Sequence, residues 1–142
     1  ISGRQLCAVT YQGRINCFDV GTGNSVWSRE FSSVTGLAAD VRFAYAANDR
    51  SVVHGFALDS GANIWKQDAL QNRGLTAPAS VGRAIAVGDF EGYVHFLQRE
   101  DGALLARIAT DGSAILARPV PTGRGVLVQT SKGNLYSINV GQ

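Results

Sequence analysis

Few residues in this chain could do chemistry, and their spacing limits what they could do. His54 and His95 are its two histidines, and Cys7 and Cys17 its two cysteines. A metal centre needs three or four nitrogen, sulfur or oxygen ligands brought to one point. The histidines lie far apart, with no carboxylate-rich metal spacing around either, so they read as polar strand residues. No Gly-x-Ser-x-Gly, Walker or zinc pattern occurs. "DFEG" (Asp89 to Gly92) and "REDG" (Arg99 to Gly102) each end in glycine, which tolerates positive φ. These carboxylates read as turn residues rather than a catalytic pair. The expectation is no catalytic residue, no metal site and no cofactor.

Cys7 and Cys17 form the pair worth testing. Residues facing each other across a hairpin centred near Gln12 have numbers that sum to 24, and 7 and 17 do so. Two readings stay open: a cross-strand disulfide, or two small buried thiols. Candidate partner-binding residues are Arg73 and Arg118. Each lies near a proline in a loop, "DALQNRGLTAP" (Asp68 to Pro78) and "TDGSAILARP" (Thr110 to Pro119). Exposed arginines can anchor an interface; the plainer reading is a solvated loop residue.

The composition narrows what must position these residues. The chain has 142 residues, is 45% apolar and carries a net charge of +2. That suffices for one packed domain. No run of apolar residues is long enough for a membrane-spanning helix. The basic residues are scattered, which argues against nucleic acid as a partner. Seventeen glycines against three prolines point to many tight turns. The start at Ile1, not Met, reads as a cut-out fragment.

An internal repeat supplies the elements. Turn positions fall at Gly13, Ser51, Gly92 and Gly133, spaced 38, 41 and 41 residues apart. Arginine precedes each by nine residues, at Arg4, Arg42, Arg83 and Arg124, and glycine follows the first three by ten, at Gly23, Gly61 and Gly102. Apolar runs lie between: "QLCAVT", "FAYAAND", "AIAVGD" and "GVLVQT". They are too short and glycine-rich for helices. Runs apolar without alternation suit strands covered on both faces. A four-stranded unit of about forty residues is the signature of a β-propeller blade. The expected fold is all-β: a partial propeller of about three and a half antiparallel blades, with units near 1–31, 34–70, 75–110 and 115–142. The strand count runs three, four, four, three.

The turn between third and fourth strands carries a resemblance. "FDVGTGNSVW" and "FALDSGANIW" align throughout. They resemble the repeat of the pyrroloquinoline-quinone-type propellers, Asp-x-x-Thr-Gly-x-x-x-Trp. Asp19, Thr22, Gly23 and Trp27 match fully; the second copy keeps Gly61 and Trp65 but has Ala57 and Ser60, and the third keeps Gly102 but has Ala106 for tryptophan. The Gly-His and Trp-Asp pairs of WD40 repeats are absent. Trp27 and Trp65, with Gly23, Gly61 and Gly102, read as structural residues that fill gaps between wedge-shaped blades.

A closer resemblance covers nearly the whole chain. "AANDRSVVHGFALDSGANIW", then "GDFEGYVHFLQREDGALLA" and a terminal "KGNLYSINV", are similar in order to the C-terminal half of the BamB family of outer-membrane assembly factors. That resemblance implies a fragment of an eight-bladed propeller and a non-catalytic scaffold at the periplasmic face of the outer membrane. It implies the periplasmic domains of BamA and other assembly-machinery subunits as partners, with unfolded outer-membrane proteins as further candidates. It implies a lipoprotein whose membrane contact is a lipid anchor outside this fragment; Cys7 and Cys17, in repeat positions, are not the lipid-bearing cysteine. The alternatives are a quinone-dependent dehydrogenase on the same propeller and a propeller sensor domain of another protein. An isolated fragment with uncovered blade faces and strand edges is expected to self-associate.

Overall fold

The computed structural model describes residues 5–9, 13–33 and 35–140. Arg4 and the turn around Gln12 lie outside them. Fourteen strands form four antiparallel sheets, with no helix among the described residues. The first sheet holds β1 (Gln5–Val9), β2 (Gly13–Asp19) and β3 (Ser25–Phe31). The second holds β4 (Leu37–Ala39), β5 (Phe43–Ala47), β6 (Val53–Ala57) and β7 (Asn63–Gln67). In the third are β8 (Ala79–Val81), β9 (Ala84–Gly88), β10 (Tyr93–Gln98) and β11 (Leu104–Ala109). The fourth comprises β12 (Val120–Pro121), β13 (Gly125–Gln129) and β14 (Leu135–Asn139). Each sheet is a simple meander, so each is one stretch of sequence.

The continuous apolar runs have a direct explanation. All five residues of β5 and all five of β9 are buried. Alternate side chains point to opposite faces of a strand, and here both faces are cores. Ala44 and Ala46 pack with Ile15, Trp27 and Phe56 between the first and second sheets. Phe43, Tyr45 and Ala47 pack the other way, with Ile85, Val87 and Leu97 of the third. Ala84 and Ala86 then join Phe96, Val126 and Val128 between the third and fourth. A strand apolar on one face could not serve two interfaces.

Strands β4 and β12 each lie beside β8, and β1 lies beside β4, so the inner strands of all four sheets converge. They surround a cavity of about 520 Å³ lined chiefly by Ala8, Val9, Ala38, Ala39, Ala79 and Ser80. Small residues suit the narrow ends of wedges meeting at a hub. The blades share further local detail. A register shift falls between Cys17 and Phe18, Gly55 and Phe56, and Phe96 and Leu97, the same repeat position three times. Asp19 accounts for its place in the turn motif: Oδ1 accepts the backbone N–H groups of Gly21 at 2.8 Å and Thr22 at 3.1 Å.

Candidate functional site

The tryptophans tie one blade to the next. Trp27 donates its indole N–H to the carbonyl of Leu58 at 2.7 Å, and Trp65 donates to that of Arg99 at 2.8 Å. Each acceptor lies in the turn that carries the next blade's glycine. A Cβ on Gly61 would overlap the Trp27 ring, and one on Gly102 the Trp65 ring; φ is +73° at both. Two residues after each tryptophan a second donor reaches the same glycine: Arg29 Nε to the carbonyl of Gly61, and Gln67 Nε2 to that of Gly102 at 3.0 Å. Gly23 has φ +74° with nothing near its Cβ position. In the third blade, where Ala106 stands for tryptophan, Phe96 lies directly opposite it and is buried against the fourth blade. The aromatic volume has moved one strand inward.

At the opposite end of the blades, entry loops are stitched to hairpin turns. The N–H of Asn72 donates to the carbonyl of Arg50, that of Phe90 to Arg73, and that of Ser131 to Ala114. Asp89 is the most connected residue there. Its Oδ1 accepts the N–H groups of Glu91 and Tyr93, both at 2.9 Å. Its Oδ2 lies 2.7 Å from His95 Nε2 and 3.1 Å from Arg73 Nη1. Burial pushes the His95 imidazole below its ordinary 6.5, against the pull of the Asp89 carboxylate. Burial would raise Asp89, yet hydrogen bonds from His95 and the Tyr93 and Glu91 amides prevail and hold its carboxyl below 3.8. The arrangement is a neutral imidazole donating to a carboxylate beside a guanidinium. His95 is 3% exposed and Asp89 0%, so the pair is enclosed and serves packing better than proton transfer to a substrate.

The other residues singled out above are dispersed. Arg73 is committed to Asp89, with Glu91 at 3.6 Å. Arg118 reaches across the hub, and its Nη2 donates to the carbonyl of Leu37 at 2.9 Å. His54, half-buried, accepts from Asn63 Nδ2 at 2.8 Å and meets Phe31 edge-on; burial lowers its pKa too. Cys7 and Cys17 face each other in register and are joined by a disulfide beside Trp27. Sequence reasoning missed the Asp89–His95 pair. Its signal was present, because the β9–β10 hairpin returns His95 to the turn that begins with Asp89. Asp111 was also missed; it accepts from Ser113, Thr130 and Asn134 across the turn of the fourth blade, which holds its carboxyl far below the usual range. Among the described residues no three His, Cys, Asp or Glu side chains form a metal-ligating group.

Radially stacked meanders, inner strands around a hub and a tryptophan-to-glycine clamp between blades define a partial β-propeller of quinone-type repeats. The profile of the family described as "Outer membrane protein assembly factor BamB" matches residues 1–67 and 49–142, and the chain belongs to that family. It is 59% identical to BamB of Bordetella pertussis over 139 residues, which is 97% of this chain and 36% of that one. Against BamB of Escherichia coli it is 33% identical over 131 residues, covering 92% of this chain and 33% of the relative. The crystal structure of BamB from Moraxella catarrhalis superposes with a TM-score of 0.91 at 28% identity, over 99% of this chain and 41% of that one. The chain thus spans about a third of the length of the curated relatives it matches.

Proposed function

We propose that this chain is part of a non-catalytic scaffold subunit of the machinery that folds and inserts outer-membrane β-barrels. The scaffold works at the periplasmic face of the outer membrane, as a lipoprotein. Its partners are the periplasmic domains of the barrel subunit BamA and other subunits of the machinery. The observation that supports this most is the family match across the entire chain. The disposition of polar groups supports it too: Arg73, Asp89, His95 and Asp111 are engaged in tying loops to hairpins, and function on such a scaffold falls to surfaces.

The test is a pull-down from solubilised outer membranes, with titration by pyrroloquinoline quinone plus calcium as the counter-test. Capture of the barrel subunit without quinone binding is the expected result. Quinone binding without capture would transfer the chain to the dehydrogenase class.

A further inference from the structure

The repeat leaves one groove empty that an earlier copy fills. At the junction of the first and second blades, Phe31 packs against His54 at 5.1 Å and Phe56 at 5.6 Å between ring centroids. Counted from the tryptophan of each copy, the counterpart of Phe31 is Ala69, four residues after Trp65 as Phe31 is after Trp27. The counterpart of His54 is His95. Between the second and third blades the aromatic side chain is therefore missing. A groove of about 360 Å³ stands in its place, lined chiefly by Ala69, Leu70, Arg73, His95, Leu105 and Arg107.

Its outer wall is β11, whose features point to the occupant. β11 ends its sheet and pairs with β10 alone, so one row of its backbone N–H and C=O groups faces outward. All six of its residues are exposed, and Leu105 is 54% exposed. Exposed apolar edge strands are templates for a further strand. Arg107 stacks over the Tyr93 ring at 4.5 Å and makes no ion pair among the described residues, so the rim is cationic.

We propose that β11 and this groove bind an extended polypeptide segment, which adds a strand to β11, seats an aromatic side chain against Ala69 and His95, and sets a neighbouring carboxylate on Arg107. The inference rests on the scaffold reading for the source of the segment, an unfolded strand of an outer-membrane barrel. Such strands alternate in polarity and carry aromatic side chains at the membrane interfaces.

The test titrates the protein with a labelled ten-residue peptide of alternating valine and threonine carrying one central phenylalanine beside a glutamate, and with its alanine analogue. Fluorescence anisotropy is expected to show the phenylalanine peptide binding roughly tenfold more tightly or better. A69F supplies the missing ring in cis and is expected to abolish the difference while circular dichroism stays unchanged. R107E is expected to weaken binding, and a lysine in place of the peptide's glutamate to restore it. Should A69F misfold, the R107E charge swap decides alone. Equal affinity for the two peptides, or no response to the charge swap, would overturn the groove. Phenylalanine-selective binding with a failed pull-down would keep the groove and remove the scaffold reading; capture of the machinery with no peptide selectivity would do the reverse.

Discussion

Trp27 and Trp65 combine two effects that a single substitution can separate. Each ring fills an inter-blade gap, and each indole N–H satisfies a carbonyl of the next blade. Gly23→Ala places a Cβ at positive φ in open space and is expected to cost about 1 kcal/mol. Gly102→Ala adds a clash with the Trp65 ring, and overpacking of that kind costs about 1–3 kcal/mol more. Urea melts of the two variants measure the difference; equal losses would mean that the ring does not press on the glycine. Histidine sets the pH response. Burial lowers the pKa of both His54 and His95 from 6.5, so the unfolded chain binds more protons just below that pH. Their contribution is present above pH 6.5 and is lost as pH falls toward the depressed values. Thermal midpoints are expected to drop on acidification through this window, less steeply in His95→Gln. An identical slope in the variant would show that His95 does not titrate this way.

Among the strands, local pattern was readable and cross-blade pattern was not. Strand positions, turns and the 7-to-17 register all follow from spacing within forty residues, because each sheet is a meander. The partner of Trp65 is Gly102, and their meeting depends on how one wedge stacks on the next. That information is absent from either repeat alone. The exchange of Trp for Phe96 opposite Ala106 was hidden for the same reason. The groove at Ala69 could be aligned with Phe31 in advance, yet only the fold shows what that phenylalanine covers. The disulfide belongs to this level, since it staples β1 to β2. Mass spectrometry after alkylation without reductant is expected to find neither cysteine modified. Cys17→Ser is expected to lose about 2–3 kcal/mol, as closing a short loop predicts. Two alkylated cysteines in the native protein would contradict the bridge.

For the molecule as a whole, stability comes from stacking in series, each blade covering its neighbours. The stack leaves edges: β14 ends its sheet with Leu135 exposed, and β11 ends another. Light scattering is therefore expected to show mass rising with concentration above that of one chain; a constant monomer mass at high concentration would argue that these edges are inert. The central claim is that the first three sheets are locked blade to blade through tryptophan. With two tryptophans in the chain, hydrogen exchange at their indole N–H groups, followed by NMR, tests it most directly. The account predicts two slowly exchanging signals, with the Trp65 signal losing its protection in Gly102→Ala. Exchange of both indoles within the dead time in the native protein would contradict it.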